Sequence, residues 1–230
     1  MADMISNSLF FGVVISVLAY ECGVWLKGKW KLAVFNPLLI SIVAVIILLK
    51  VFHIEYSAYN EGAKYLSYLL TPATVCLAVP LYEQVELLKK NMTAILVGIF
   101  SGALSSLTCV LLLSYVFGLN HKEYVTLLPK SITTAIGMGI SEELGGIVTI
   151  TVAVIVITGV LGNIIAEYVC HIFHIEESIA KGVAIGSAAH AVGTAKAIEI
   201  GEVEGAMSSL SIAVSGIITV VLASVYANFL

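Results

Sequence analysis

The chain has 230 residues, 60% of them hydrophobic and only 11% charged, with a net charge of -4 and a mean hydropathy of +1.05. A soluble domain carries about 25% charged residues, so the composition excludes one and points to an all-α, polytopic membrane helix bundle. All 11 basic residues are lysines, and with no arginine fork and a negative balance no nucleic-acid partner is expected.

The elements follow from the spacing of the charges. Residues 4–20 form the first uncharged run; no lysine precedes it and no small-residue cleavage motif follows, so it reads as a retained helix. The second run, 32–49, contains Asn36-Pro37, which reads either as a polar helix break or as a helix start. Residues 65–82 are long enough to span, but Pro72 and Pro80 must bend or unwind the helix, and this segment is expected to line a cavity. Runs 91–120, 144–166 and 205–230 complete five clean spans, each meeting the roughly 17–25 apolar residues that a crossing needs. Two shorter uncharged stretches remain, 131–141 between Lys130 and Glu142 and 182–195 between Lys181 and Lys196. Stretches this short read as re-entrant or broken helices, whose unwound backbone must be buried by protein or face a wet cavity.

Six to eight crossings in one domain, 1–230, are expected. Lys27, Lys29 and Lys31 after the first run and Lys89 and Lys90 after the proline-broken one fall on one side if each intervening segment crosses once. The positive-inside rule makes that side cytoplasmic and the N-terminus external. Cys22, Cys76, Cys109 and Cys170 show no C-x-x-C spacing and read as packing residues. A faint repeat relates halves 1–115 and 116–230: "PATVCLAVPLYEQ" from Pro72 and "HAVGTAKAIEIGE" from His190 each precede a small-residue-rich span. Repeated halves with broken helices are a sequence mark of secondary transporters, although shared membrane composition explains a likeness this weak equally well.

Two clusters carry chemistry. Pro129 is suited to open a helix, which would leave Lys130, Ser131, Thr133 and Thr134 at its first turn, where backbone donors, hydroxyls and the dipole attract an anion. The bland alternative is Ser131 as an N-cap with threonines bonded to their own helix. In the second cluster Gly193 allows close backbone approach, Thr194 can donate, Lys196 supplies charge and His190 can donate or carry a proton. Against this, Lys196 can snorkel and His190 can bond a neighbouring carbonyl. A single anion site needs both clusters to converge. Glu83 and Glu142 end broken segments and, with His190, are the candidates for proton coupling; Glu143, Glu202 and Glu204 read as solvated helix ends. No nucleophile–base triad, nucleotide loop or metal-ligand cluster is visible, so neither an enzyme nor a cofactor is expected.

"FNPLLISI" at Phe35, "TPATVCLAVPLYEQ" at Thr71, "LLPKSITTAIGMGIS" at Leu127 and "GSAAHAVGTAKAIEIGEVEGAMSSL" at Gly186 together resemble the LrgB/CidB family over essentially the whole chain. One departure is Ala135, where the family often has proline after Thr133-Thr134. The resemblance implies a multi-pass bacterial plasma-membrane protein, often encoded beside an LrgA/CidA-like partner. It implies two functions: an antiholin-like or holin-like regulator of murein hydrolases and autolysis, acting as a homo-oligomer, or a carrier of small monocarboxylates such as pyruvate, glycolate and glycerate. Buried polar residues on broken helices favour the carrier, with proton coupling.

Overall fold

The computed structural model describes residues 10–30 and 35–230, and every regular element among them is helical. Helices α1 (Phe11–Trp30), α2 (Pro37–Val51), α3 (Tyr56–Ser67) and α4 (Leu70–Cys76) lie in one compact unit, Met1–Cys76. A second unit, Leu77–Leu230, holds α5 (Ala78–Glu83), α6 (Val85–Phe117), α7 (His121–Leu127), α8 (Thr134–Glu143), α9 (Val148–Ile172), α10 (Ser178–Ile200) and α11 (Glu202–Tyr226). Among the described residues five stretches are long and apolar enough to cross a membrane: Phe11–Trp30, Tyr56–Glu83, Val85–Phe117, Val148–Ile172 and Glu202–Phe229. Pro37–Val51 is a shorter apolar helix. Leu18, Ile47, Val97, Leu112, Ile157 and Val221 are all exposed, as side chains that face lipid should be.

In the first unit α1 meets α3 and the start of α2 through glycines. A Cβ on Gly12 would collide with the backbone of Tyr59 and Ala63, and one on Gly23 would lie 2.8 Å from Pro37. Ser16 Oγ donates to the Gly12 carbonyl and contacts the Tyr59 hydroxyl, both at 2.7 Å. The helix does not stop where the uncharged run stops, at Tyr20; it continues through Glu21, Lys27 and Lys29 to Trp30. Charge near a helix end is tolerated because long side chains reach the headgroups, and Lys29 Nζ lies 5.1 Å from the Trp25 ring centroid. Lys27 and Lys29 are therefore a helix terminus rather than a loop; Lys31 and residues 4–9 lie outside the described residues. Asn36 Oδ1 accepts from the Leu38 and Leu39 N–H groups at 2.9 and 3.2 Å, and Pro37 occupies the first helical position. The pair starts α2 and interrupts nothing.

Pro72 and Pro80 each stand in the first turns of a short helix, and the breaks fall just ahead of them, at Tyr68–Leu69 and Leu77. A proline clashes with the carbonyl four residues back, here Tyr68 and Cys76, which puts the breaks where sterics demand. Leu69, Leu70, Val75 and Tyr82 are exposed, and within the second unit the segment's last residues, 77–82, do not line the cavity described below.

The second unit is built on α6, α10 and α11, whose side chains Ile95, Ile99, Val183, Ala206 and Met207 form a buried cluster. Helices in lipid gain little from hydrophobic burial and associate through small residues that let backbones approach. A Cβ on Gly182 would lie 2.5 Å from the Glu204 carbonyl oxygen and 2.7 Å from Met207 Cβ, and one on Gly186 would strike the Ser208 backbone. Glu204, expected to be solvated, is buried in this contact, its carboxylate turned back over Gly201. Gly118, at φ 64°, ends α6 with the Leu119 N–H returning to the Ser114 carbonyl at 3.0 Å.

Both short stretches are broken as their length demands. Between α7 and α8 residues 128–133 are non-helical, and Leu128, Ser131 and Ile132 are buried. Pro129 does not open a helix: it sits in the turn closing α7, held by burial of Leu128 against Tyr124 and Val125, and α8 starts only at Thr134. Ser131 is not the N-cap: Thr133 holds that position without a side-chain cap bond, and Ser131 Oγ is bonded to Ser106 and Lys130 instead. Backbone groups freed around α8 find hydroxyls: Thr151 Oγ1 lies 2.9 Å from the Thr126 carbonyl and 2.7 Å from Ser141 Oγ, while the Ile147 N–H donates to Thr126 Oγ1 at 2.8 Å. Helix α10 is interrupted at Ala189 (φ -128°, ψ 15°) and His190 (φ 42°, ψ -141°). A non-glycine residue at such a φ costs about 1–3 kcal/mol and persists only where its surroundings hold it there.

Candidate functional site

A cavity of about 890 Å³ opens between α6, the Lys130–Ser131 turn and the first half of α10. Its α6 wall is small and hydroxylated: Gly98, Gly102 and Ser106 recur at four-residue spacing, with Ser101 and Ser105 beside them. Ala180, Ala184, Ser187 and Ala188 supply the facing wall. Lys130 Nζ donates to Ser131 Oγ at 2.9 Å and to Ser106 Oγ at 3.3 Å, and the two hydroxyls are themselves 3.0 Å apart. Among the described residues no carboxylate pairs with Lys130. Asn91 and Glu177 also line the cavity, as does the exposed Cys109, one helical turn from Ser105 and Ser106.

Beneath lies a smaller void of about 10 Å³, room for one water, lined by Ser106, Ser131, Ser187, Ser215 and Thr219 among apolar side chains. Ser106, Ser131 and Ser187 belong to both cavities and so form the partition between them. Gly102 keeps the partition tight, since a Cβ there would sit 3.0 Å from Ser187 Oγ.

The two sequence clusters do not meet in this cavity. Lys130 and Ser131 line it; Thr133 and Thr134 are half-buried and lie off its wall. His190 is buried, and its Nε2–H donates to the Ile155 carbonyl of α9 at 3.0 Å. Gly159 makes space for that ring, because a Cβ there would lie 2.6 Å from His190 Cε1. Gly193 packs on Ala189, where a Cβ would come within 2.6 Å of the Ala189 methyl. Thr194 Oγ1 donates to the His190 carbonyl at 3.0 Å and accepts from Ser208 Oγ at 2.7 Å. Lys196 is paired with Glu167 at 2.6 Å and Glu199 at 3.4 Å. These four residues hold the kink and its second half; they do not line the cavity. Glu83 and Glu142 are exposed and lie away from it as well.

Sequence reasoning missed Ser105, Ser106, Ser187, Ser215 and Thr219. The signal was present as hydroxyl and glycine residues three and four apart inside otherwise apolar spans, which put one polar face on each helix. Of the cysteines, only Cys170 is packed inside; Cys22, Cys76 and Cys109 are exposed.

The profile of the LrgB-like family matches residues 16–229. The chain belongs to that family. Curated relatives carrying the name "Antiholin-like protein LrgB", from Bacillus mycoides, Bacillus cereus and Bacillus anthracis, are each 38% identical over 222 residues, 96% of this chain and 96% of theirs. No solved structure matches it. As an LrgB-like protein with several apolar helices and bacterial relatives, it is a multi-pass protein of the bacterial membrane.

Proposed function

We propose that this LrgB-like protein carries a small monocarboxylate of the pyruvate, glycolate or glycerate kind across the plasma membrane, with its N-terminus outside. The observation that carries this reading is Lys130: a lysine at the wall of a cavity among membrane helices, met by two serine hydroxyls and, among the described residues, by no carboxylate. An ionisable group in that setting supports a functional role, and an anionic ligand would supply the missing counter-charge. Ser105, Ser106, Ser131 and Ser187 add donors or acceptors for a carboxylate and its neighbouring oxygen. Thr133, Thr134, His190, Gly193, Thr194 and Lys196 leave the proposed ligand shell, since each is off the wall or engaged in packing. Proton coupling stays in the proposal, with Glu177 on the cavity wall a better-placed candidate than Glu83, Glu142 or His190.

The test is uptake of labelled pyruvate, glycolate and glycerate into proteoliposomes with an imposed proton gradient, with and without an LrgA/CidA-like partner. Gradient-dependent accumulation of at least one acid, lost in Lys130→Met, is expected; no accumulation of any under either condition would refute transport. A second reading is favoured by the relatives' names: an antiholin-like homo-oligomer or partner complex that governs murein hydrolase activity. On that reading the small-residue groove between α6 and α10 seats a neighbouring helix, and autolysis changes on deletion whether or not Lys130 is intact.

A further inference from the structure

From the partition between the two cavities and the break beside it, we infer that Ser187 is the movable gate of the carboxylate path and that the Ala189–His190 break is its hinge, with His190 a positioning residue and not a ligand. The inference rests on the carrier reading and deepens it. Ser187 touches both the 890 Å³ cavity and the 10 Å³ void beyond it, so its displacement joins them. It lies three residues before His190, on the half of α10 that precedes the break.

The two halves of that helix are held differently. The second half is tied by side chains: Asn163 Nδ2 donates to the Val192 carbonyl at 2.7 Å, Thr194 is bonded to Ser208, and Lys196 is paired with Glu167. The first half packs on α11 through Gly182 and Gly186 and on α6 through Val183, and among the described residues Ser187 Oγ bonds only within its own helix, at the Val183 and Ala184 carbonyls. A half-helix closely packed on its neighbours but not hydrogen-bonded to them, joined by one strained residue to a half that is, can shift about the break by the small sliding open to packed helices. The imidazole bond to Ile155 fixes where the hinge stands.

The experiment compares His190→Gly with His190→Ala in chains whose four native cysteines are replaced and whose Thr219→Cys thiol reports access to the inner void. Glycine adopts φ 42° without strain, so it keeps the break without the imidazole; alanine loses the bond and still bears the strain. Uptake and thiol labelling are expected to fall by about tenfold, equivalent to about 1.4 kcal/mol, in His190→Ala relative to His190→Gly, with Ser187→Val as slow as the alanine variant. Equal loss in glycine and alanine variants would mean that the imidazole itself is required and would overturn the hinge, as would no loss in either. Because labelling needs no substrate, a carrier reading that failed would abolish uptake in the parent while leaving the labelling contrast intact. A Gly159→Ala variant, which displaces the ring without altering residue 190, must shift labelling in the alanine direction; if it leaves labelling unchanged the hinge is overturned, and unaltered elution in detergent confirms that these proteins are folded.

Discussion

Replacing Lys130 by methionine removes the charge while keeping the volume of the stem. Of the three ammonium N–H groups, two are directed to Ser106 and Ser131, at 3.3 and 2.9 Å, leaving one for a ligand. A single hydrogen bond to a charged group is worth about 1.5–3 kcal/mol, so binding should weaken by about 10- to 150-fold. The fold should persist, because Ser106 and Ser131 are 3.0 Å apart and can bond one another once the ammonium is gone. Cys109 provides the assay: it is exposed and lines the same cavity, so a bound acid should slow its reaction with a maleimide. With Cys22, Cys76 and Cys170 replaced, the acid concentration giving half-protection reads affinity without requiring transport. A shift smaller than about threefold would show that the carboxylate does not bind at Lys130.

Lys196→Gln is expected to leave that half-protection concentration unchanged and to cost at most about 1 kcal/mol of stability, since its partner Glu167 is largely exposed; a tenfold loss of affinity would return Lys196 to the site. Gly182→Ala should destabilise the fold by about 1–3 kcal/mol, because the new methyl meets the Glu204 carbonyl at 2.5 Å and the two backbones must separate; an unchanged thermal midpoint in detergent would refute that contact.

Much of the architecture was legible because lipid imposes simple rules. Apolar length marked α6, α9 and α11, and the short stretches after Lys130 and Lys181 were identifiable as broken from their length alone. Boundaries were less legible, because Glu21 and Lys27 lie inside a helix whose end reaches the headgroups. The site was half-legible. Lys130 and Ser131 stood out as polar groups in an apolar chain, but Ser106 and Ser187 lie 24 and 57 residues from Lys130 and face it only through the packing of α6 on α10. His190 misled for a physical reason: a polar side chain beside a helix break is as useful for holding the break as for holding a ligand, and only its 3.0 Å bond to Ile155 tells the two apart.

Helix α6 runs for 33 residues, about 50 Å, against a hydrocarbon core about 30 Å thick. It must tilt, project into the headgroups, or do both, and Glu86, Lys89 and Lys90 in its first turns mark the end suited to projecting. Since one face of this same helix walls the large cavity, bilayer thickness becomes a control on cavity width. Thinner membranes demand more tilt of α6, and reconstitution into lipids of graded acyl length should tune access to Lys130 without any change in sequence.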